Sequence, residues 1–250
     1  MVERGRRSVV ATFFVAGALD VGAVVTLGDE AAHHMHVRRL AAGQRVGVVN
    51  GAGSAAGGTL VRLGRFDAEV ALDETWQMPR PAAVHLIVPV ADRERMLWLA
   101  EKSAELGATS WRSAAWRRSR SVSPRGEGPR FRDKVRARMV AALEQSGGAW
   151  LPEILPDAAL PDTLAAAEHG TRLWLDRDGE PLLAAIGPSP VTIVVGPEGG
   201  VEDEERDQLT RCDFRAVSVG ESILRFETAG VAALATVRAA FQHAGTESTA

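Results

Sequence analysis

Apolar residues come in short runs broken by glycines over the first third of the chain, and in longer runs alternating with helical periodicity over the rest. Residues 9–15, 23–27, 45–49, 59–63 and 68–72 are short apolar runs, and Gly43-Gln44, Asn50-Gly51 and Gly57-Gly58 punctuate them as turns. Residues 30–40 read as a single short helix. Short strands with Gly-rich turns predict a small β-barrel. Met78-Pro79-Arg80-Pro81 marks a boundary. Beyond it, 84–90 is an unbroken apolar run, the pattern of a strand buried on both faces. Asp92 is placed to cap the next helix, with Arg95 at its third position. Met96, Leu97, Leu99, Ala100, Ala104 and Leu106 line one face of that helix, Glu101, Lys102 and Glu105 the other, and Gly107 ends it. A helix over 131–145 ends at Gly147-Gly148. Residues 171–175 and 191–195 read as strands with a short helix over 182–186 between them. An acidic helix follows over 202–210, its charge complementing the helix dipole. A last strand covers 214–219 and an Ala-rich helix closes the chain over 227–243. Alternating strands and helices predict an α/β domain with a parallel sheet. The expected division is a β domain over 1–75 and an α/β domain over 82–245.

Composition narrows the class. Hydrophobic residues make up 46% of 250, enough for a buried core. No run approaches the roughly 18 apolar residues that span a bilayer, and no signal-peptide h-region follows the charged start, so a cytoplasmic protein is expected. Cys212 is the single cysteine, which excludes an intrachain disulfide and a cysteine-based metal cage. Net charge is −3, but ten basic residues face two acidic ones between Trp111 and Arg138. A basic patch on an otherwise acidic chain suits an anionic polymer, and arginine suits phosphate.

Chemistry concentrates in two runs, Val195-Gly196-Pro197-Glu198-Gly199-Gly200 and Gly220-Glu221-Ser222-Ile223-Leu224-Arg225-Phe226-Glu227-Thr228-Ala229. Each follows an apolar run and precedes a helical pattern, so both belong at the carboxyl ends of strands, where such sheets bind ligands. Neither is a phosphate cradle of the G-x-G-x-x-G or P-loop type. The pair suggests backbone recognition of a nucleoside-like cofactor lacking a pyrophosphate. Glu198 either caps the helix near Glu202 or orients a loop beside a ligand. His33, His34 and His36 lack the i, i+4 spacing of a helical zinc site, and no metal is expected. Glu144-Gln145-Ser146 is either a polar helix end or a supplier of groups to a base or cofactor. No G-x-S-x-G hydrolase elbow occurs.

These residues resemble the bacterial 16S ribosomal RNA uridine-N3 methyltransferases (RsmE-type) of the SPOUT superfamily, over nearly the whole chain. Phe13-Phe14-Val15, His33 through Leu40 and Val48-Val49-Asn50-Gly51-Ala52-Gly53 resemble that family's PUA-like domain. Glu101-Lys102-Ser103-Ala104-Glu105-Leu106-Gly107 resembles its E-K-A-T-E-L-G helix, Glu144-Gln145-Ser146-Gly147 its E-Q-S/C-G segment, and the two runs above its most specific motifs. The resemblance implies an N-terminal PUA-like β-barrel that holds RNA. It also implies a C-terminal SPOUT α/β domain with a trefoil-knotted parallel sheet, S-adenosyl-L-methionine (SAM) as cofactor, and a homodimer acting on 16S rRNA or the small ribosomal subunit. By carry-over, Leu175, Gly196, Glu198, Gly199, Val219, Gly220, Ile223, Leu224 and Arg225 serve the cofactor pocket. Arg225 and Glu227 are the expected catalytic pair. Arg225 either stabilises the uracil anion or braces the knot loop, and Glu227 either accepts the N3 proton or caps the last helix. Arg38, Arg39, Arg117, Arg118, Arg120 and Arg132 are the expected RNA contacts. The chain departs from the family pattern at Val90-Ala91-Asp92, Gly148, Ser222 and Phe226. These departures keep open a SPOUT enzyme acting on another RNA atom, and a non-catalytic SAM- or RNA-binding paralogue. Finding the methylated atom separates the first, and cofactor binding without transfer the second.

Overall fold

The computed structural model describes residues 8–121 and 124–247. The chain forms two compact units, Met1–Arg80 with Val140–Leu151, and Pro81–Met139 with Pro152–Ala250. The sequence pattern assigns 140–151 to the second domain, whereas this stretch clusters with the first.

In the first unit, β1 (Thr12–Phe14), β2 (Val24–Leu27), β3 (Arg45–Val49), β4 (Ser54–Leu63) and β5 (Ala68–Gln77) form one sheet in the order β1-β3-β4-β5-β2. β1 runs parallel to β3 and the other pairs are antiparallel. The sheet curves as a half-barrel. Helix α1 (Asp29–Val37) inserts Met35 into a core of Phe13, Leu27, Val46, Leu60 and Val70, all buried. Each such burial contributes about 2 kcal/mol relative to exposure. Gly57-Gly58, expected as a turn, instead lies inside β4, at a register shift. A Cβ on Gly58 would come within 2.5 Å of the Ala71 carbonyl oxygen, so glycine here marks close strand approach rather than chain reversal. Asn50 makes the turn expected of it: its Oδ1 accepts the Ala52 and Ser54 N–H groups at 2.9 and 3.0 Å.

The second unit is built on a six-stranded, wholly parallel sheet. Its strands are β6 (Val84–Pro89), β7 (Ser110–Ala115), β8 (Glu153–Ala159), β9 (Thr171–Pro181), β10 (Val191–Val194) and β11 (Arg215–Ser218), in the order β11-β9-β10-β6-β7-β8. The helices are α2 (Arg93–Glu105), α3 (Pro129–Ser146, its residues from Val140 lying in the first unit), α4 (Leu160–Ala165), α5 (Leu182–Ala185), α6 (Asp203–Arg211) and α7 (Phe226–Glu247). A 3-10 turn covers Arg117–Ser121. The central strands β6 and β10 are buried almost throughout, as an apolar run requires. The Asp92 carboxylate accepts the Arg95 N–H at 3.0 Å, capping α2. Gly107 follows the helix with φ +69°. α7 is pinned to the end of α2 by Arg238, which donates to the carbonyls of Leu106 and Gly107. Burial lowers the pKa of that guanidinium.

β7, β8 and α4 lie outside the sequence-based element set. β7 buries Ser110 and Ser113, which interrupt its apolar run. β8 carries Pro156 and is the outermost strand, where a missing N–H is tolerated.

Candidate functional site

Parallel strands send all their carboxyl-terminal loops to one edge of the sheet, and both specific motifs lie there. After β9 and β11, Leu175, Val219, Gly220, Ser222, Ile223 and Leu224 line a pocket of about 120 Å³. Five of the nine residues expected to hold a cofactor are among them. Asp176 and Arg177 line the pocket beside these aliphatic residues, and around Gly220 the space a Cβ would enter is open. Gly196, Glu198, Gly199 and Arg225 are not in its lining.

The Gly-Pro-Glu loop is held from α2. Arg95, in the first turn, donates from Nη1 to Glu198 Oε1, and its Nε lies 3.9 Å from Glu227 Oε1. One guanidinium thus joins the loop after β10 to the start of α7. Glu198 is therefore not the cap of α6. Glu202 takes that position, in a capping box with Glu205, whose carboxylate accepts the Glu202 N–H at 3.0 Å. The Glu227 side chain is 12% exposed, and its Oε2 is buried with no hydrogen-bond partner among the described residues. A carboxyl oxygen left so has acceptor capacity that no described residue uses. The Arg225 side chain is exposed beside it in sequence, and Phe226 packs into the core at 3% exposure. Gly199 carries a carbonyl that accepts from Arg118 Nη1 at 2.7 Å. A Cβ there would sit 2.9 Å from Arg118 Cβ, so the approach needs glycine.

The basic segment is largely paired within the molecule. Arg117 meets Glu202 and Glu204 at 3.2 and 3.0 Å, Arg118 meets Glu202 at 3.4 Å, and Arg132 meets Asp157 at 3.0 Å. Arg117 and Arg118 remain more than half exposed, so phosphate would compete with exposed carboxylates rather than meet bare cations. The Arg120 side chain lies outside the described residues. In the first unit, Arg38 and Arg39 are exposed at the end of α1, and Arg39 adopts φ +57°. His34 meets Phe13 edge-on at 5.8 Å, and His36 Nε2 lies 2.9 Å from the Gly64 carbonyl. Among the described residues no three metal-ligating side chains converge. Glu144 accepts the Phe14 N–H at 2.8 Å. Burial pushes its carboxyl above the ordinary value, against that hydrogen bond.

Arg95 is the functional residue that sequence reasoning read only as a helix position. A signal was present. The third position of a helix favours an acidic partner for the cap, and a cation there opposes the dipole. A locally unfavourable residue points to a tertiary role.

A family profile described as an RNA methyltransferase domain matches residues 78–238, and one described as an RNA methyltransferase PUA domain matches 27–71. The chain is 28% identical over 246 residues to the ribosomal RNA small subunit methyltransferase E of Mycobacterium bovis, covering 90% of each. A crystal structure of that methyltransferase from Neisseria gonorrhoeae, bound to S-adenosyl methionine, superposes with TM-score 0.82 at 27% identity, over 92% of this chain and 97% of the other. A Legionella pneumophila methyltransferase in complex with SAM gives 0.81 at 25% identity, over the same shares.

Proposed function

Because the chain belongs to the RNA methyltransferase family, with an RNA methyltransferase PUA domain ahead of the transferase domain, we propose that it methylates N3 of a uridine in 16S rRNA of the small ribosomal subunit, with SAM as donor. The carrying observation is the buried Glu227 oxygen, unpartnered among the described residues, beside Arg95 and three residues after the pocket-lining Leu224. The names of the relatives and the bound SAM of two structural neighbours support the substrate and the donor.

Leu175, Val219, Gly220, Ile223 and Leu224 fit a nucleoside-bearing cofactor. The aliphatic side chains suit the faces of a flat base, and open main chain around Gly220, with Asp176 and Arg177 in the same wall, suits its polar groups. When bound, SAM supplies a methyl group on positively charged sulfur, an electrophile that needs no further activation. The protein's task is to expose and deprotonate the nucleophile. Uracil N3 lies on the Watson–Crick edge and carries a proton, so the base must be unpaired or flipped. Glu227 Oε2 takes that proton. Arg225 faces the carbonyl oxygens on which negative charge develops. Arg95 holds Glu227 and the Gly-Pro-Glu loop in one arrangement. Arg38, Arg39, Arg117, Arg118, Arg120 and Arg132 contribute phosphate contacts, so RNA binding weakens as salt rises. The reading further assigns a trefoil knot around the cofactor loops, a homodimer and a cytoplasmic site of action.

The test is incubation with labelled SAM and small subunits lacking native base methylation, followed by nuclease digestion and mass spectrometry. Label in 3-methyluridine of 16S rRNA is expected. Label on a ribose or another base would move the chemistry elsewhere in the superfamily, and SAM binding without label would mark a non-catalytic protein.

A further inference from the structure

A second, larger cavity, of about 470 Å³, opens at the same edge of the parallel sheet. Its walls come from Val90 after β6, Ala115 at the end of β7, Leu160 in α4 and Gln208 in α6. It shares no lining residue with the pocket of Leu175 and Gly220. Trp116 and Ser119 also line it. They are 2% and 3% exposed, and among the described residues neither the indole Nε1 nor the seryl Oγ has a hydrogen-bond partner. Buried donors are paired in most proteins, so two orphans in one cavity call for a ligand. The indole N–H only donates, which requires an acceptor on the occupant. Glu205 also lines the cavity, and its oxygens accept the main-chain N–H groups of Arg117 and Glu202 at 2.8 and 3.0 Å. Arg117 and Arg125 line the cavity together with Glu127, and both are ion-paired, Arg117 with Glu202 and Glu204 and Arg125 with Glu127.

Aliphatic walls and buried donors together fit the base of one unpaired nucleotide: base faces and base acceptor atoms. The volume lies within the range of small-molecule sites. We propose that this cavity seats an unpaired nucleotide of the RNA substrate, held through acceptor atoms of its base by Trp116 and Ser119. Arg225 and Glu227 are not in its wall, so the occupant is a neighbour of the methylated uridine. The inference rests on the RNA methyltransferase reading above.

Two variants and one titration test it. Ser119→Ala removes a donor, and Ala115→Leu fills the cavity from an exposed position. Each should raise KM for the RNA about tenfold, with kcat and SAM affinity unchanged. The Trp116 indole N–H resonance, assigned by its loss in Trp116→Phe, should move when uridine 5′-monophosphate is added to the full-length protein, and not in Ala115→Leu. Wild-type KM in both variants, or a Trp116 resonance unmoved by a short RNA that the enzyme methylates, overturns the proposal. If no RNA is methylated, the parent reading fails instead, and the mononucleotide titration alone decides the cavity: a shift upholds it and no shift ends it.

Discussion

Glu227 carries two properties that pull apart under mutation, a buried acceptor oxygen and an ion-pair contact with Arg95. Glu227→Gln keeps the shape and removes the base. It should lower kcat about 100-fold or more while SAM binding, read by calorimetry, stays as in the wild type. Undiminished turnover would remove Glu227 from the chemistry. Arg95→Gln should act less severely, lowering kcat about tenfold through loss of alignment. Its cost in stability should stay under about 1 kcal/mol, because the Arg95–Glu198 pair is partly exposed. Glu144 gives a prediction in pH. Its carboxyl sits above the ordinary value of 4.5 because of burial. A folded state that holds the proton more tightly is favoured fully below the unfolded pKa, and that advantage disappears as pH rises through the folded value. Glu144→Gln retains an acceptor for the Phe14 N–H and avoids the buried charge. Urea titrations should show the variant gaining on the wild type between pH 4 and pH 7, and a gain that shrinks over that interval would contradict the assignment.

At the level of elements, the legible parts were those with local causes. Asp92, Gly107 and the acidic start of α6 signal helix ends through groups a few residues away. β6 and β10 are legible because burial on both faces leaves an unbroken apolar run. β7 and β8 were not, since buried serines and an edge proline erase the run. Gly57-Gly58 misled for a related reason: paired glycines signal both turns and close strand contact, and only the facing strand distinguishes them. Gly58→Ala tests the second meaning. Its Cβ would press on the Ala71 carbonyl and Val70, so a loss of about 2 kcal/mol or more is expected in chemical denaturation. A neutral substitution would mean that β4 and β5 can separate at no cost.

For the molecule as a whole, the first unit draws on a distant stretch of chain. Ala149 packs with Val49 and Ala55, and its carbonyl accepts the Gly53 N–H at 2.8 Å. Trp150 Nε1 donates to the Met78 carbonyl at 3.1 Å, and Glu144 accepts from Phe14. A fragment ending at Arg80 loses all of these contacts. It should unfold less cooperatively than the same unit in the full chain, visible as a broadened urea transition by circular dichroism. A sharp, full-length-like transition would show that 140–151 is dispensable.

Local chemistry in the chain was enough for the α/β and β-rich halves, the motifs at the strand ends and the family they resemble. Periodicity, capping and turn preference act over a few residues and leave their mark in order along the sequence. Which side chains meet was decided only in three dimensions. Arg95 reaches Glu198 and Glu227 across 103 and 132 positions of sequence, Arg117 and Arg118 turn their charge toward Glu202, and Trp116 and Ser119 close on one cavity. Such pairings depend on strand order and loop direction, and a parallel sheet sets both through contacts between residues far apart in the chain.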